Sequence, residues 1–290
     1  MPAGGRPTIR SRRLGKALRH YRLELKVDQQ EAADCIAGSK TKISRIEQGL
    51  VSARPGDVRL LLELYQVQDR EIYRQLEQLA RDSNKRGWWL DYQWAHQKPE
   101  YADLLSLESD ANYIRSWQPL FLPGLLQTDD YLRALLDASL TVHSPEVVDG
   151  FVAMHQTRQK VLAEKGGARF SAVIWEPALT APMPSPKVHR EQLEHLWGVA
   201  QQQNVSIQVL PASEWAAAHM SSHFLLFSMG GPGPALEAVA FDTNTCPMIV
   251  EEYDEIEHHS RIFEALRSAA LNRSDSTKFL ESRLAALPDK

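Results

Sequence analysis

The sequence predicts two domains: an N-terminal all-α domain of five helices, and a C-terminal α+β domain in which helices pack on a modest sheet. Three observations support this prediction. Short segments with helical periodicity fill residues 1–80, and several begin at a capping residue. Strand-like segments follow between residues 169 and 241. The polar, unpatterned stretch RDSNKRG predicts a linker at 81–87, between domains 1–80 and 88–290.

The first three helices form a helix-turn-helix pattern. Apolar residues at i, i+3, i+4, i+7 and i+11 predict the first helix: Leu14, Ala17, Leu18, Tyr21 and Leu25. The second begins at DQQE, where Asp28 caps the helix and Glu31 can bond back to it. After a very short turn, Ser39 caps the third helix, which ends at Gly49, where positive φ is easiest.

Two further helices complete the predicted bundle. One starts at RPGD and buries Val58, Leu61, Leu62 and Tyr65; the other buries Ile72, Leu76 and Leu79. The third helix docks through Ile43 and Ile46. Its outward face therefore consists of hydrogen-bond donors and cations: Lys40, Thr41, Lys42, Ser44 and Arg45.

Charge is unevenly distributed along the chain. Net charge is only −4, but residues 1–80 contain 15 Lys and Arg against 10 Asp and Glu, whereas the rest of the chain contains 18 against 27. A solvated helix face would give a milder imbalance. A basic N-terminal region followed by an acidic remainder of the chain favours a nucleic-acid partner.

Residues 14–67 resemble a family of DNA-binding domains. The stretch LGKALRHYRLELKVDQQEAADCIAGSKTKISRIEQGLVSARPGDVRLLLELYQV is similar to the XRE (lambda repressor and Cro type) helix-turn-helix domain, with Leu18, Arg19, Gln29, Ala33, Ser39, Ile43, Ile46, Glu47 and Gly49 at matching positions. In that family the second helix of the motif lies in the major groove. One departure concerns the turn. The family commonly has glycine at the place of Ala37, and here Gly38 stands one position later, so we expect a shifted or strained turn.

The resemblance implies a set of DNA-contacting residues: Gln29, Ser39, Lys40, Thr41, Lys42, Ser44, Arg45, Arg54, Arg10, Arg12 and Arg13. Gln29 is expected to touch a phosphate or to brace a neighbouring side chain. Lysine donates to guanine and the Thr41 methyl can meet a thymine methyl, so these positions can specify sequence. The arginines suit phosphates, which position without specifying. Glu47 is expected to pair with a first-helix arginine such as Arg22. As an alternative, the bundle could act only as a protein-interaction module.

The C-terminal half begins rich in tryptophan, with Trp88, Trp89, Trp94 and Trp117. LPGLLQ then feeds a helix capped by Thr128. RFSAVIWE, VSIQVLP, HFLLFSM and LEAVAF predict strands. KVHREQLEHLWGVAQQQ predicts a helix with one buried side: Leu193, Leu196, Trp197 and Ala200. Helices from about Glu252 to Leu271 and from Thr277 to Leu287 close the chain.

This half resembles the C-terminal domain that follows an XRE head in actinobacterial, antitoxin-like (WhiJ-like) regulators. The resemblance is carried by LESDANYIRSWQPLFLPGLLQTDDYLRALL, RFSAVIWEPAL, REQLEHLWGVAQQQNVSIQVLP and FEALRSAAL. Such proteins are transcriptional repressors or activators, often encoded beside a small partner protein. The resemblance therefore implies a transcription regulator, and it leaves the chemistry of the C-terminal domain open.

The clustered aromatic residues allow two roles. They could line the pocket of a sensor whose small-molecule effector shifts the DNA-competent population: Trp88, Trp89, Trp117, Tyr131 and Trp175. The same residues could instead be core or dimer surface. A homodimer is expected, because two heads on half-sites about one helical turn apart read a palindrome.

Enzyme and membrane classes are not favoured. The sequence contains no G-x-S-x-G, Walker, G-x-G-x-x-G or H-E-x-x-H motif, and GGPGP at Gly230 predicts a turn. His219 and His223 precede a strand, where a spacing of four residues is too long for one ion, so no catalytic residue, cofactor or metal is predicted. No apolar run approaches the roughly 18 residues of a membrane helix. Cys35 and Cys246 are expected to be reduced, in a cytoplasmic, nucleoid-associated protein.

The sequence therefore predicts a dimeric, sequence-specific DNA-binding transcription regulator. It would bind a palindromic operator through the helix Ser39–Gln48, and its C-terminal domain would dimerise and sense an effector or a partner. The rival hypothesis is an antitoxin-like interaction protein. Such a protein would neutralise a small partner protein, and its DNA binding would be autoregulatory.

Overall fold

The computed structural model describes residues 8–83, 87–92, 99–139, 144–163, 166–181, 185–229, 237–241 and 247–287. Among these residues the chain divides into two compact units: an N-terminal unit up to Asp91 and a C-terminal unit from Tyr92 onward. The predicted fold class is confirmed. The N-terminal unit is helical, and the C-terminal unit contains a six-stranded sheet with helices.

The helices of the N-terminal unit begin at residues suited to that position. They are α1 (Ile9–Glu24), α2 (Gln29–Cys35), α3 (Lys40–Glu47), α4 (Pro55–Leu64) and α5 (Arg70–Asp82). Side-chain oxygens of Thr8, Asp28, Ser39 and Asp69 accept backbone N–H groups in the first turns of α1, α2, α3 and α5. In α4, Pro55 takes the first position, where its missing N–H costs nothing.

The apolar residues predicted to face inward form the core of this unit. Buried members include Leu14, Ala17, Leu18, Ala32, Ala33, Ile36, Ile43, Ile46, Val58, Leu61, Leu62, Tyr65 and Leu76. Ile72 and Leu79 pack partly buried against them. The prediction for Leu25 is wrong. This residue is 41% exposed, because α1 ends at Glu24 and Leu25 is already its C-cap.

Helices α1 to α4 all end in the same type of turn. The φ angle is positive at Lys26 (57°), Ala37 (47°), Gly49 (71°) and Gln66 (51°). After α2, for example, the N–H of Gly38 donates to the carbonyl of Ala33 and that of Ala37 to Asp34. This is the Schellman arrangement, which usually places glycine at the left-handed residue. The turn after α2 is therefore not shifted to Gly38; Ala37 occupies the glycine position and is strained.

The end of the N-terminal unit lies beyond the predicted domain limit at residue 80. Helix α5 reaches Asp82, and Trp88–Asp91 forms a 3-10 turn. Trp89 is buried, and the guanidinium of Arg10 lies 5.4 Å from its ring centroid. Trp89 therefore packs against α1, and Trp88 belongs to the same compact unit.

The C-terminal unit alternates helices and strands. Its helices are α6 (Pro99–Asp110), α7 (Asp129–Asp137), α8 (Pro145–Gln159), α9 (Glu176–Thr180), α10 (Pro186–Val199), α11 (Trp215–Ala218), α12 (Tyr253–Ala269) and α13 (Arg273–Ala286). Its strands are β1 (Tyr113–Gln118), β2 (Arg169–Trp175), β3 (Val205–Leu210), β4 (Phe224–Ser228), β5 (Glu237–Phe241) and β6 (Met248–Val250). Short 3-10 turns occur at Gly124–Leu126, Lys160–Leu162 and Ala212–Glu214.

The strands form one mixed sheet in the order β3-β2-β1-β4-β5-β6. Strands β1, β2 and β3 are parallel, with Tyr113 opposite Arg169 and Phe170 opposite Val205. Strands β4, β5 and β6 are antiparallel to their neighbours. The four predicted strands correspond to β2, β3, β4 and β5, whereas β1 and β6 were not predicted. The GGPGP turn, Trp94 and Cys246 lie outside the described residues.

The core of the C-terminal unit lies between the sheet and its helices. It contains the fully buried side chains of Trp117, Phe224 and Phe263. On α10, Leu193, Leu196 and Ala200 are buried as predicted. Trp197 is not: it is 39% exposed, and its indole N–H donates to a Glu281 carboxylate oxygen at 3.0 Å.

Candidate nucleic-acid interface

A buried ion pair fastens the helix-turn-helix segment to α1. The guanidinium of Arg22 donates twice to Glu47, from Nε to Oε1 at 2.5 Å and from Nη2 to Oε2 at 3.0 Å. Gln29 adds a third donor, with its Nε2 2.9 Å from Oε2. The hydrogen bond to Glu47 raises the pKa of Arg22. Glu47 is therefore structural, as predicted, and Gln29 has the bracing role that was one of its two expected roles.

Close backbone contacts also fix α3 against α1. A Cβ atom at Gly15 would lie 2.3 Å from the carbonyl oxygen of Ile46, and one at Gly49 would lie 2.6 Å from Cα of Arg12. The hydroxyl of Ser11 donates to the carbonyl of Gly49 at 2.8 Å. Side chains at these glycines would force the helices apart. The direction in which α3 points its outward face is thus set by packing that tolerates little movement.

The outward face of α3 presents donors and cations to solvent. Ser39, Lys40, Thr41 and Arg45 are exposed, and Ser44 is half-buried. The Ser39 hydroxyl is occupied as the helix cap, since it accepts the N–H of Lys42 at 3.2 Å. Lys40, Thr41 and Arg45 are therefore the side chains of this helix most accessible to a polyanion.

Lys42 differs from its neighbours because it has an internal partner. Its ammonium lies 2.7 Å from a carboxylate oxygen of Asp57, in the first turn of α4. The side chain is 38% exposed and that of Asp57 only 16%. Lys42 would have to exchange this carboxylate for a phosphate or a base. Ser44 has a local partner as well, since it accepts the side-chain amide of Gln48 at 3.3 Å.

The flanking arginines lie in unequal surroundings. Arg54, the residue before α4, is exposed, and Arg12 is half-buried. Arg10 donates from Nη1 to the carbonyl of Asp82 at 3.2 Å in addition to its contact with Trp89. Arg13 is only 3% exposed, so its side chain lies inside the unit and not at the surface where a phosphate contact requires it.

The aromatic residues proposed as pocket walls in the C-terminal unit are mainly core residues. Trp117 is fully buried, and its indole N–H donates to the carbonyl of Ser221 at 3.1 Å. Tyr131 is 3% exposed, and burial raises the pKa of its hydroxyl. Trp175 is half-buried against the same core as Trp117. These three side chains therefore contribute to the hydrophobic core of the unit.

A cavity of about 550 Å³ occurs elsewhere in the C-terminal unit. We call it the C-terminal cavity; it lies between the segment after β1 and helices α6, α7 and α8. Residues that line it include Tyr101, Gln118, Leu120, Phe121, Leu122, Gly124, Gln127, Leu132, Leu135, Leu136, Phe151, Met154, His155, Arg158 and His223. None of the predicted ligand-binding aromatics belongs to this lining. A sequence signal that could have indicated it is the loop PLFLPG, whose apolar residues exceed what a loop requires.

Metal-binding clusters and membrane-spanning helices are both absent from the described residues. No group of three or more His, Cys, Asp or Glu side chains is arranged to hold a metal ion in this part of the chain. Within the same residues, no helix is long and apolar enough to cross a membrane.

Comparison with known families places two matches on the chain. Residues 13–75 match a helix-turn-helix domain, which covers α1 to α4 and part of α5. Residues 101–282 match a domain of unknown function, DUF5753, which covers most of the C-terminal unit, including the lining of the C-terminal cavity. No curated protein and no solved structure matches the chain. The N-terminal match supports a DNA-binding regulator.

Proposed function

The chain belongs to the DUF5753 family and carries an N-terminal helix-turn-helix domain, and we propose that it is a dimeric, sequence-specific transcription regulator of the XRE type. The observation that carries the proposal is the exposed, cationic face of α3, held in a fixed direction by the buried contacts of Arg22, Glu47 and Gln29. A rigid helix with donors on its free side is what major-groove recognition needs.

In this proposal the outward residues of α3 divide into two roles. Lys40 and Thr41, in the first turn, approach base edges, because N-terminal residues of the recognition helix lie deepest in the groove. Arg45 and Arg54 bind phosphates. Lys42 also binds a phosphate or a base, after its ion pair with Asp57 breaks. Arg10 and Arg13 make mainly internal contacts.

Dimerisation follows from the affinity that regulation requires. One helix-turn-helix head makes few contacts, whereas two heads on half-sites about one helical turn apart add their binding energies. A palindromic operator is therefore expected. The C-terminal unit would supply the dimer contact and modulate DNA binding by responding to an effector.

The test compares specific and nonspecific DNA affinity. Genome fragments retained by the purified chain at near-physiological salt are footprinted, and the enriched site becomes the probe. Lys40→Ala should then relax the preference at one operator position by roughly 1–3 kcal/mol. Arg54→Ala should weaken binding to specific and random DNA alike. It should also reduce the slope of log affinity against log salt concentration by about one.

A matched control is available in the C-terminal unit. Lys187→Ala removes the same charge from a side chain that is 80% exposed on α10, so it should leave operator affinity unchanged. Equal losses for Lys40→Ala and Arg54→Ala on all sequences would contradict the assigned roles. Absence of any enriched fragment, together with capture of a small protein by the C-terminal unit, would favour the antitoxin-like alternative.

A further inference from the structure

The C-terminal cavity has the size and lining of a small-molecule site. Its volume of about 550 Å³ falls within the range of roughly 300–1,000 Å³ that is usual for ligand pockets. Most of its wall is apolar, contributed by the segment after β1, by α7 and by α8. Leu120 and Phe121, which are 65% and 46% exposed, belong to this wall. The polar side chains of the wall therefore decide which ligand fits.

Among the described residues of the wall there is one guanidinium, and it is already neutralised. Arg158 of α8 donates from Nε and Nη2 to the two carboxylate oxygens of Glu108, at 2.6 and 2.7 Å. Its Nη1 donates to the hydroxyl of Tyr101 at 3.2 Å. Both charged residues are buried, with 7% and 2% exposure. A carboxylate ligand would compete with Glu108 for these donors, and an ammonium ligand would be desolvated beside the guanidinium.

His155 supplies a polar atom that has no hydrogen-bond partner among the described residues. The residue lines the cavity, is only 3% exposed and hydrogen-bonds to the backbone of Gly124. Burial and the neighbouring Arg158 lower its pKa to about 3, so the ring is neutral. Nothing in the described part of the chain bonds its Nε2, and this atom is closed off from solvent, so a ligand reaches it only after the side chains around it shift. A neutral imidazole that donates one N–H to a carbonyl keeps the other nitrogen as an acceptor.

These features favour one class of ligand over the others. We infer that the C-terminal cavity binds an uncharged, mainly apolar small molecule that donates a hydroxyl hydrogen to Nε2 of His155. The apolar body would fill the space lined by residues such as Leu135 and Phe151. Binding of such a molecule does not depend on the proposed function. Only the further conclusion, that the molecule is the effector of the regulator, rests on that function.

The test uses three probes that differ only in the polar group. 4-Butylphenol donates a hydroxyl hydrogen, 4-butylanisole has the same body without the donor, and 4-butylbenzoate carries a negative charge. Titration calorimetry on the full chain without DNA should give an affinity for the phenol about tenfold higher than for either analogue, the value of one good hydrogen bond.

Variants separate the role of His155 from general damage to the fold. His155→Leu should bring the phenol and the ether to within about twofold of each other. His189→Leu is the matched control: His189 is also buried, with Nε2 near the Leu179 carbonyl at 2.9 Å and Nδ1 unbonded by the described residues, but it does not line the cavity. This variant should keep the tenfold preference. Leu135→Trp should weaken binding of both neutral probes by filling the space.

Three results would overturn the inference: no saturable binding of 4-butylphenol, tighter binding of the benzoate, or an unchanged preference in His155→Leu. The proposed function fails separately. A chain that binds the phenol but enriches no DNA site contradicts only the regulator, and a chain that binds an operator but none of the probes contradicts only the pocket. If the chain binds both an operator and the phenol, the phenol should change operator affinity in the wild-type chain and not in Leu135→Trp.

Discussion

The ion pair between Arg22 and Glu47 makes a strong prediction about the N-terminal unit. Glu47→Gln preserves side-chain shape but removes the carboxylate charge. The side chains of Arg22 and Glu47 are only 8% and 4% exposed, so the guanidinium would remain buried without a counter-charge. Breaking a buried pair in this way typically costs about 3–5 kcal/mol, several times more than at the surface.

That cost is a large part of the stability of such a unit. At about 0.05–0.15 kcal/mol per residue, a helical unit of about 80 residues has roughly 4–12 kcal/mol in total. Opening of α1, α2 and α3 should therefore become about a hundredfold to a few thousandfold more frequent. Hydrogen exchange by mass spectrometry on the full chain measures this directly, and peptides from the C-terminal unit serve as the internal reference.

Two further variants identify the cause. Glu63→Gln removes the same charge from an exposed position on α4 and should change exchange little. Arg22→Met combined with Glu47→Leu removes both charges. It should recover most of the stability, short of about 1 kcal/mol for the lost hydrogen bond from Arg22 to the Val27 carbonyl. The reasoning is refuted if Glu47→Gln costs less than about 1 kcal/mol or if the double variant is as unstable as the single one.

Three further changes test other parts of the structure. Ala37→Gly relieves the left-handed φ of 47° and should stabilise the N-terminal unit by about 0.5–1 kcal/mol, seen as a higher thermal midpoint; an unchanged or lower midpoint would contradict the strain. Gly49→Ala places a Cβ 2.6 Å from Cα of Arg12 and should cost about 2–4 kcal/mol, seen as faster exchange in α3. Because the pKa of His155 is about 3 when folded and 6.5 ordinarily, the unfolded chain binds the extra proton between these values. The contribution of His155 to the stability of the C-terminal unit should therefore fall by about 1.4 kcal/mol per pH unit between pH 6.5 and about pH 3, and His155→Leu should reduce this slope in urea titrations.

The helix-turn-helix domain could be predicted in detail because its signals are local. Asp28 and Ser39 cap the helices that they precede, and Gly49 has the positive φ that its position predicts. The turn at Ala37 could not be predicted with the same accuracy. Tertiary packing of α2 and α3 holds Ala37 in a left-handed conformation that alanine disfavours. A local sequence pattern does not contain the packing energy that compensates for this strain.

Strand β1 shows why the C-terminal fold was harder to predict. It lies inside the sheet between β2 and β4, and its four middle residues are all buried, so its sequence does not alternate. Two of those residues, Arg115 and Ser116, are polar and therefore conceal a central strand. Arg115 is tolerated because it donates to the hydroxyls of Ser228 and Ser260, partners that are distant in sequence. Strand β6 has only three residues, too few for a periodic pattern.

The sequence does not predict the C-terminal cavity, because bulky aromatic residues are an unreliable sign of a pocket. In this fold Trp117 and Tyr131 are large enough to fill the space around them, and they end as core. The proposed ligand contacts involve the polar side chains of the cavity wall instead, and only tertiary contacts bring His155, Arg158 and Tyr101 together. The composition shows that the segment has more apolar residues than a loop requires. Whether these residues enclose a cavity depends on which residues the fold places opposite one another.

The two buried arginine–glutamate pairs have the same chemistry and different consequences. A buried pair rarely adds net stability over apolar residues of similar volume, so the main effect of each is on position. Arg22 and Glu47 lie in a closely packed bundle, where they fix the direction of α3 and leave its outward donors in place. Arg158 and Glu108 lie beside a cavity, where they join α6 to α8 and neutralise the polar wall. A rigid helix for DNA in one unit and an uncharged wall for a small molecule in the other are the two parts that the proposed regulator requires.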